Sequence, residues 1–354
     1  MTRIPVQKTT ASRLAETDFS DLRFGDKFAD HMLEMRYTDG QWGEPSIRPY
    51  APIQMTPAAS ILHYGQGVFE GMKAFRREDG RITIFRIDKH FERFNNSCKR
   101  LNIPEIPFEV FEQGLIQLVD LDREWIPKNK FKALYIRPFV IASDEYIGLN
   151  TSQNYRFFII SGPVGNYYRE GINPIKLTTM PDYVRAVEGG VGFAKIPGNY
   201  AASLLPTHKA KEMGYTQVLW LDAKHRKYVE EVGSMNMFFV VDGKILTAPL
   251  SGTILPGVTR DCVIQLGKEW GIPVEERPVS IDELIEANKN GTLEEAFGSG
   301  TAAVISPVGL IHHKGYTITL DQDKMGPIAQ RLYDTITSIH HGLEKDNHDW
   351  CTIV

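Results

Sequence analysis

The chain has 354 residues, of which 42% are hydrophobic, 24% charged and 10% aromatic, the proportions of a globular protein and neither a disordered nor a fibrous one. Lys and Arg number 40 against 44 Asp and Glu, a net charge of −4, so no broad basic field exists to hold a nucleic-acid backbone or an anionic membrane. The length predicts two domains at ~150 residues each, no apolar run approaches the ~18 residues of a membrane helix, and no repeat suggests a solenoid or propeller.

From the N-terminus, the first residues read as a polar arm. Arg3, Lys8 and Arg13 precede the first acid, Glu16, a trace of transit-peptide composition, but Pro5 interrupts any amphipathic helix and no continuous apolar segment marks a secretory signal. Ile82–Arg86 and Leu134–Ala142 read as buried strands rich in Ile, Val, Tyr and Phe. Between them, His90–Leu101 and Phe108–Asp120 have the apolar spacing of amphipathic helices. Arg156–Ser161 is another strand, and the Gly/Pro/Asn-rich passage after it is the expected domain linker. The expected division is a small first domain over 1–163, a linker over 164–175 and a larger second domain over 176–354.

The second half begins with a strand at Ile175–Thr179 and passes through a glycine-dense loop, VEGGVGFAKIPGNY, into a helical stretch ending at Gly214. Pro206 inside that stretch predicts a kink or a late start. Strands follow at Gln217–Leu221, Val229–Val241 and Lys244–Ala248, with Asp242-Gly243 as a hairpin turn. Ser251–Thr259 is then a loop and Arg260–Trp270 a helix stopped by Gly271. Short strands with segregated helices and no regular βαβ alternation predict an α+β or mixed α/β, barrel-like fold. Cys98, Cys262 and Cys351 lie far apart with no CxxC pair or Cys/His cluster, so neither a disulfide framework nor a metal site is expected and a reducing, cytoplasmic setting is. The terminal Cys351-Thr-Ile-Val354 has the outline of a prenylation box, but Thr is not aliphatic and no polybasic stretch precedes it.

Four features point to chemistry. Lys195 stands among Gly, Val, Phe, Ala, Ile and Pro, surroundings that favour the free amine needed to attack a carbonyl. Glu230 and Glu231 are adjacent on a strand, so only one can face a pocket; there a carboxylate beside a pyridine nitrogen would make the ring an electron sink. Leu255-Pro-Gly-Val258-Thr259 leads directly into a helix, and free amides at such a junction bind anions; Phe297-Gly-Ser-Gly-Thr301-Ala302 is a second small-residue loop able to add amides. Tyr135 and Arg137 share one face of a strand and together suit a carboxylate. No P-loop or dinucleotide-binding glycine pattern is present.

The ordered set Phe24-Gly25…Asp30-His31-Met32, Tyr64…Val68-Phe69-Glu70-Gly71-Met72-Lys73-Ala74-Phe75, Tyr135-Ile136-Arg137-Pro138, Lys195…Gly198-Asn199-Tyr200, Glu231-Val232-Gly233, Leu255-Pro256-Gly257-Val258-Thr259-Arg260 and Gly298-Ser299-Gly300-Thr301-Ala302 resembles the branched-chain amino acid aminotransferases, class IV or fold-type IV pyridoxal-phosphate enzymes. The resemblance covers roughly 24–330. It implies two α/β domains, the larger one barrel-like, with the active site between them, in a homodimer that takes amino acids and 2-oxo acids as its small-molecule partners.

By the same resemblance Lys195 is the lysine that bonds the cofactor aldehyde and shuttles the substrate proton. Glu231 is the partner of the pyridine nitrogen, Tyr200 of the phenolic oxygen, and Arg93 of the phosphate, aided by Val258, Thr259 and Thr301. The amides of Thr301 and Ala302, with Tyr135, hold the substrate α-carboxylate, and Arg137 receives the distal carboxylate of glutamate. Phe24, Tyr64 and Phe69 wall the aliphatic pocket, joined by Ile147 and Leu149 of the second subunit. The implied reaction is ping-pong transfer of the amino group of leucine, isoleucine or valine to 2-oxoglutarate. Two departures stand out: Ala303 and Ser306 occupy the places of a CxxC pair found in some members, and Pro197 stands where glycine is usual. The alternatives are a D-amino-acid aminotransferase or aminodeoxychorismate lyase, against which Tyr135-x-Arg137 and the FEGMKAF segment argue, and a non-catalytic vitamin-B6 binding protein, for which an intact Lys195, Glu231 and Arg93 would be superfluous.

Overall fold

A computed structural model describes residues 3–129, 132–165 and 173–354. Its elements in chain order are β1 (His31–Thr38), β2 (Gln41–Trp42), β3 (Ser46–Pro49), α1 (Ile61–Tyr64), β4 (Gly67–Phe69), β5 (Met72–Arg76), β6 (Ile82–Phe85), α2 (Ile87–Arg100), α3 (Phe108–Leu121), β7 (Ala133–Ala142) and β8 (Tyr155–Val164). There follow β9 (Ile175–Thr179), α4 (Pro197–Ala201), α5 (Leu204–Glu212), β10 (Gln217–Leu221), β11 (Val229–Val232), β12 (Met235–Val241), β13 (Lys244–Thr247) and α6 (Val258–Glu269). The last are β14 (Val274–Glu276), α7 (Ile281–Lys289), β15 (Leu293–Gly300), β16 (Val304–His313), β17 (Tyr316–Thr319), α8 (Pro327–His341) and β18 (Cys351–Ile353).

Two compact units result, Met1–Tyr167 with Ala194–Pro197 and Ser338–Val354, and Tyr168–Phe193 with Gly198–Thr337. The expected linker falls largely on 166–172, outside the described residues. Two segments expected in the second domain pack in the first unit. Lys195 is fixed there by its backbone: its amide donates to Ser97 Oγ at 2.9 Å, and its carbonyl accepts from the Phe69 amide at 3.1 Å. The C-terminal segment adds β18 antiparallel to β6 and stacks His340 on Phe75 with centroids 4.1 Å apart.

In the first unit the sheet runs β18-β6-β5-β7-β8-β1-β2, with β3 on β1 and β4 on β7. Alternation along the strands gives it two chemically different faces. Leu33 and Met35 of β1 lie opposite Ile159 and Phe157 of β8, on the face that α3 covers; there a Cβ on Gly114 would come within 2.6 Å of Leu33. Phe94 of α2, Phe111 of α3 and Phe157 interlock in the core, with centroids 5.7–6.3 Å apart. The other face presents Tyr135, Arg137, Phe139 and Ile141 opposite Gly162, Ile160, Phe158 and Arg156, and beyond Arg156 and Phe158 come Arg36 and Glu34.

In the second unit β11-β10-β9-β16-β15-β12 form a ring, because β11 also pairs with β12; β13 and β14 extend it and β17 lies on β16. Leu177, Leu219, Val232, Met237 and Phe239 pack with Leu284 of α7 in its core. This is the mixed, barrel-containing α+β architecture expected from the alternation of short strands and segregated helices.

Two expectations need correction, and a third is resolved. The strand expected over Val229–Val241 is a hairpin: Gly233, at φ +55°, and Ser234 turn the chain so that Val232 faces Met235. A two-residue turn inside a β-branched run leaves the apolar pattern unbroken, and glycine supplies the positive φ. Of the two outcomes expected at Pro206, the late start is the one found: α5 begins at Leu204, so Pro206 lies in its first turn, where backbone N–H groups have no intrahelical acceptor, and causes no kink. Helix α6 starts at Val258 with Gly257 as its cap, two residues before Arg260, so Val258 and Thr259 are themselves first-turn residues. Among the described residues no helix is long and apolar enough to cross a membrane.

Candidate active site

The first unit carries nine of the fifteen predicted residues and the second six. In the first, the strand β4 and the C-terminal half of α2 set Lys195 in place. Ser97 Oγ accepts from the Lys195 amide and itself donates to the Arg93 carbonyl at 2.9 Å, tying the lysine to the helix that bears Arg93. The Lys195 ammonium lies 5.0 Å from the centroid of the Phe69 ring, within cation–π range.

Arg93 is buried and gives a bidentate fork to Glu70, Nε to Oε1 at 2.7 Å and NH2 to Oε2 at 2.9 Å. His90, one helical turn earlier, places Nδ1 at 2.7 Å from Glu70 Oε2, and the Gly71 amide donates to the same oxygen at 2.9 Å. Burial alone would raise the carboxyl of the fully buried Glu70, but the Arg93 charge and the His90 contact outweigh it and hold Glu70 far below its ordinary range. Burial in turn pushes His90 below its ordinary value despite the Glu70 carboxylate, so a neutral imidazole donates Nδ1–H. Glu70 and His90 therefore aim Arg93; the sequence shows Glu70 only as part of a motif and gives His90 no signal of its own.

A third group lines the open face of the sheet. Tyr135 and Arg137 do share it: Arg137 NH2 donates to Tyr135 Oη at 3.1 Å, and the guanidinium lies 4.8 Å from the Phe69 centroid. Phe24 meets the Tyr135 ring edge-on at 4.7 Å. Gly71 makes room for that phenol, since a Cβ there would stand 1.9 Å from its oxygen. Among the described residues Arg137 has no carboxylate partner, and its Nε is buried without an acceptor. Tyr64 closes α1 and donates from its hydroxyl to the Ile147 carbonyl. Ile147 and Leu149 themselves project into solvent, 64% and 84% exposed.

In the second unit both Glu230 and Glu231 are buried. Glu231 is engaged from three sides: Arg185 Nε at 2.6 Å from Oε2, the Leu255 amide at 2.7 Å from Oε1, and Asn236 Nδ2 at 3.4 Å. Arg185 is anchored by the carbonyls of Thr253 and Gly192, so the carboxylate is held rigidly. Burial raises the Glu230 carboxyl, against the Thr253 hydroxyl and the Arg185 charge. Sequence reasoning misses Arg185, which has no motif signal beyond its place before the glycine-dense loop.

The Leu255 carbonyl accepts from Asn236 Nδ2 at 2.8 Å, and Gly257 packs on the same side chain so closely that a Cβ would stand 1.9 Å from Asn236 Oδ1. The first intrahelical bond of α6 runs from the Asp261 amide to the Gly257 carbonyl, leaving the amides of Val258 and Thr259 for an anion. Asn236 also faces Ser299 in the ladder, just before the turn that bears Thr301 and Ala302, and among the described residues Ser299 Oγ is buried without a partner. Tyr200 lies in α4, where Pro197 is the first residue, a position at which its missing N–H costs nothing. Asn199 secures the glycine-dense loop through Val191 O at 2.9 Å.

An amine, an aimed guanidinium, a fixed buried carboxylate, a phenol and free helix-terminal amides are the donor set that pyridoxal 5′-phosphate requires: aldehyde, phosphate, ring nitrogen and phenolate each have a chemical counterpart.

The model of the amino-transferase class IV family matches residues 67–311. The chain is 48% identical over 352 residues, 99% of each chain, to branched-chain-amino-acid transaminase 1 of Bacillus subtilis. It is 50% identical to branched-chain-amino-acid aminotransferase 2 of the same organism, over 98% of this chain and 95% of that one. Among solved structures it is similar to the branched-chain aminotransferase of Thermoproteus uzoniensis with norvaline, at TM-score 0.73 and 27% identity over 90% of this chain and 98% of that one. The branched-chain amino acid aminotransferase from Escherichia coli aligns at TM-score 0.69 and 28% identity, over 90% of this chain and 98% of that one.

Proposed function

The chain belongs to the class IV aminotransferases and, within them, to the branched-chain amino acid aminotransferases, and from that membership we propose the reaction and the part each residue plays in it. The protein transfers the amino group of L-leucine, L-isoleucine or L-valine to 2-oxoglutarate, reversibly and by a ping-pong route, giving the branched 2-oxo acid and L-glutamate. When bound, pyridoxal phosphate supplies the carbonyl that accepts the amino group and the ring that withdraws electrons from the substrate Cα.

The observation that carries this reading is Arg137. A guanidinium packed on Phe69 and bonded to Tyr135, with a buried Nε that no acceptor meets, gives an aromatic wall one cation at its edge. Such a wall accepts an aliphatic side chain and also the distal carboxylate of glutamate. Lys195 Nζ takes the proton from the substrate Cα and returns it at the cofactor's aldehyde carbon. Glu231 holds the ring-nitrogen proton and Tyr200 the phenolic oxygen. Arg93, Val258, Thr259 and Thr301 bind the phosphate, and Tyr135 with the amides of Thr301 and Ala302 binds the α-carboxylate. Phe24, Tyr64 and Phe69 exclude water from the side chain. In the proposed homodimer the exposed Ile147 and Leu149 close the pocket of the other copy. Three free cysteines support a cytoplasmic setting.

A visible spectrum of the purified holoenzyme, with and without L-leucine and no oxo acid, tests this reading. The band is expected to fade with release of one equivalent of the branched 2-oxo acid; bleaching by D-alanine and not by L-leucine would replace the reading with the D-specific one. Arg137→Leu is expected to raise KM for 2-oxoglutarate by about 10–100-fold, the worth of a hydrogen bond to a charged group, with less than about threefold change for L-leucine. Steady-state kinetics with each substrate varied separates the two.

A further inference from the structure

At the far end of the sheet face that bears Arg137, three arginines converge on one carboxylate. Arg156 donates from Nε and NH2 to Glu34 Oε1 at 3.0 and 2.6 Å, and Arg48 from Nε and NH2 to Oε2 at 2.9 and 2.7 Å. Arg36 Nε reaches Oε1 at 3.2 Å. A carboxylate offers about four lone-pair sites, so five donors saturate it. The remaining N–H groups are only partly used: Arg156 NH1 meets the Gln54 carbonyl at 3.0 Å, Arg48 NH1 approaches the Pro49 carbonyl at 3.4 Å, and both terminal nitrogens of Arg36 have no acceptor among the described residues. These side chains line a cavity of ≈ 470 Å³, within the range of small-ligand sites. Its wall adds Gln54, Ser143 and Thr56, whose hydroxyl oxygen is buried without a partner among the described residues, and the exposed Glu145, so three guanidinium charges face two carboxylates and an excess of one positive charge remains; Met55 supplies an apolar patch.

We propose that this cavity is a second binding site, distinct from the substrate pocket, for a compact organic anion: guanidinium edges grip its acidic group and the Met55 side its carbon body. The excess positive charge favours an anion, and planar forks suit phosphate and carboxylate oxygens equally. The volume exceeds that of an inorganic anion, which leaves room for the carbon body. Arg36 is the selecting residue. Its side chain is 67% exposed and contributes the weakest of the bonds to Glu34, so changing it leaves the Arg48–Glu34–Arg156 framework in place.

Calorimetric titration of the holoenzyme with glycerol 3-phosphate and, separately, with succinate tests the site and tells a phosphate monoester from a dicarboxylate. Saturable binding of at least one probe is expected, with Kd at or below about 1 mM. Arg36→Glu should weaken it at least about tenfold, Arg36→Lys should retain most of it, and Arg137→Leu should leave it unchanged. The proposal is overturned by the absence of saturable binding of both probes, by equal binding to Arg36→Glu, or by loss in Arg137→Leu, which would assign the binding to the substrate pocket.

Discussion

Lys195→Ala holoenzyme is expected to transaminate L-leucine at least ~10⁴-fold more slowly than the wild type, the scale of losing a covalent nucleophile, while its thermal unfolding stays close to that of the wild type. The second half of that expectation follows from how the residue is held. Its amide donates to Ser97 Oγ and its carbonyl accepts from the Phe69 amide, bonds that alanine keeps. The side chain contributes a cation–π contact to Phe69, worth about 0.5–1 kcal/mol at an exposed site. Single-turnover kinetics with L-leucine and a thermal melt of the same preparation check both parts. Turnover within tenfold of the wild type would remove Lys195 from its role, and a large fall in melting temperature would mean that the side chain also supports the fold.

Glu70→Ala should be the most damaging change to stability in the first unit, by ~3–5 kcal/mol, because it leaves the buried Arg93 guanidinium without its counter-ion. His90 loses its acceptor in the same step. Cofactor affinity should fall with it, since Arg93 is then no longer aimed. Glu70→Gln keeps the volume and separates charge from packing through pH. The folded-state carboxyl of Glu70 lies far below its ordinary 4.5, so its stabilisation is fully present above that value and is lost as the pH falls through it towards the folded-state value. Wild-type urea midpoints should therefore decline more steeply below about pH 4.5 than those of Glu70→Gln, the difference between them being largest at neutral pH. Parallel slopes would show that Glu70 does not carry this dependence.

Much of the fold was legible because its elements are locally consistent. Ile175–Thr179 and the helix from Phe108 show their periods plainly, and the seven motifs stand in an order that chance does not give. What was not legible was set by contacts distant in sequence. Nothing local to Lys195 says that its amide will meet Ser97, 98 residues away, and so join the first unit; nothing around Cys351 says that it will extend a sheet at β6. The Gly233-Ser234 turn hid inside a run that reads as one strand, since propensity does not register a two-residue reversal. At the site, the groups with chemistry of their own were found, and the groups that aim them were not: Arg185 and His90 act only through Glu231 and Glu70, and a positioning residue has no signature until its partner's location is known.

The closed ring of the second unit bears on when its parts can open. Strand β11 is bonded to β10 on one side and β12 on the other, so it has no free edge from which to fray, whereas β14 and β17 each have a single neighbour. In deuterated buffer the amides of β14 and β17 should exchange through local opening, and those of β11 and the facing part of β12 only on the timescale on which the whole ring unfolds. Glu231, with Asn236 opposite it, thus inherits the lifetime of the slowest-opening part of its unit.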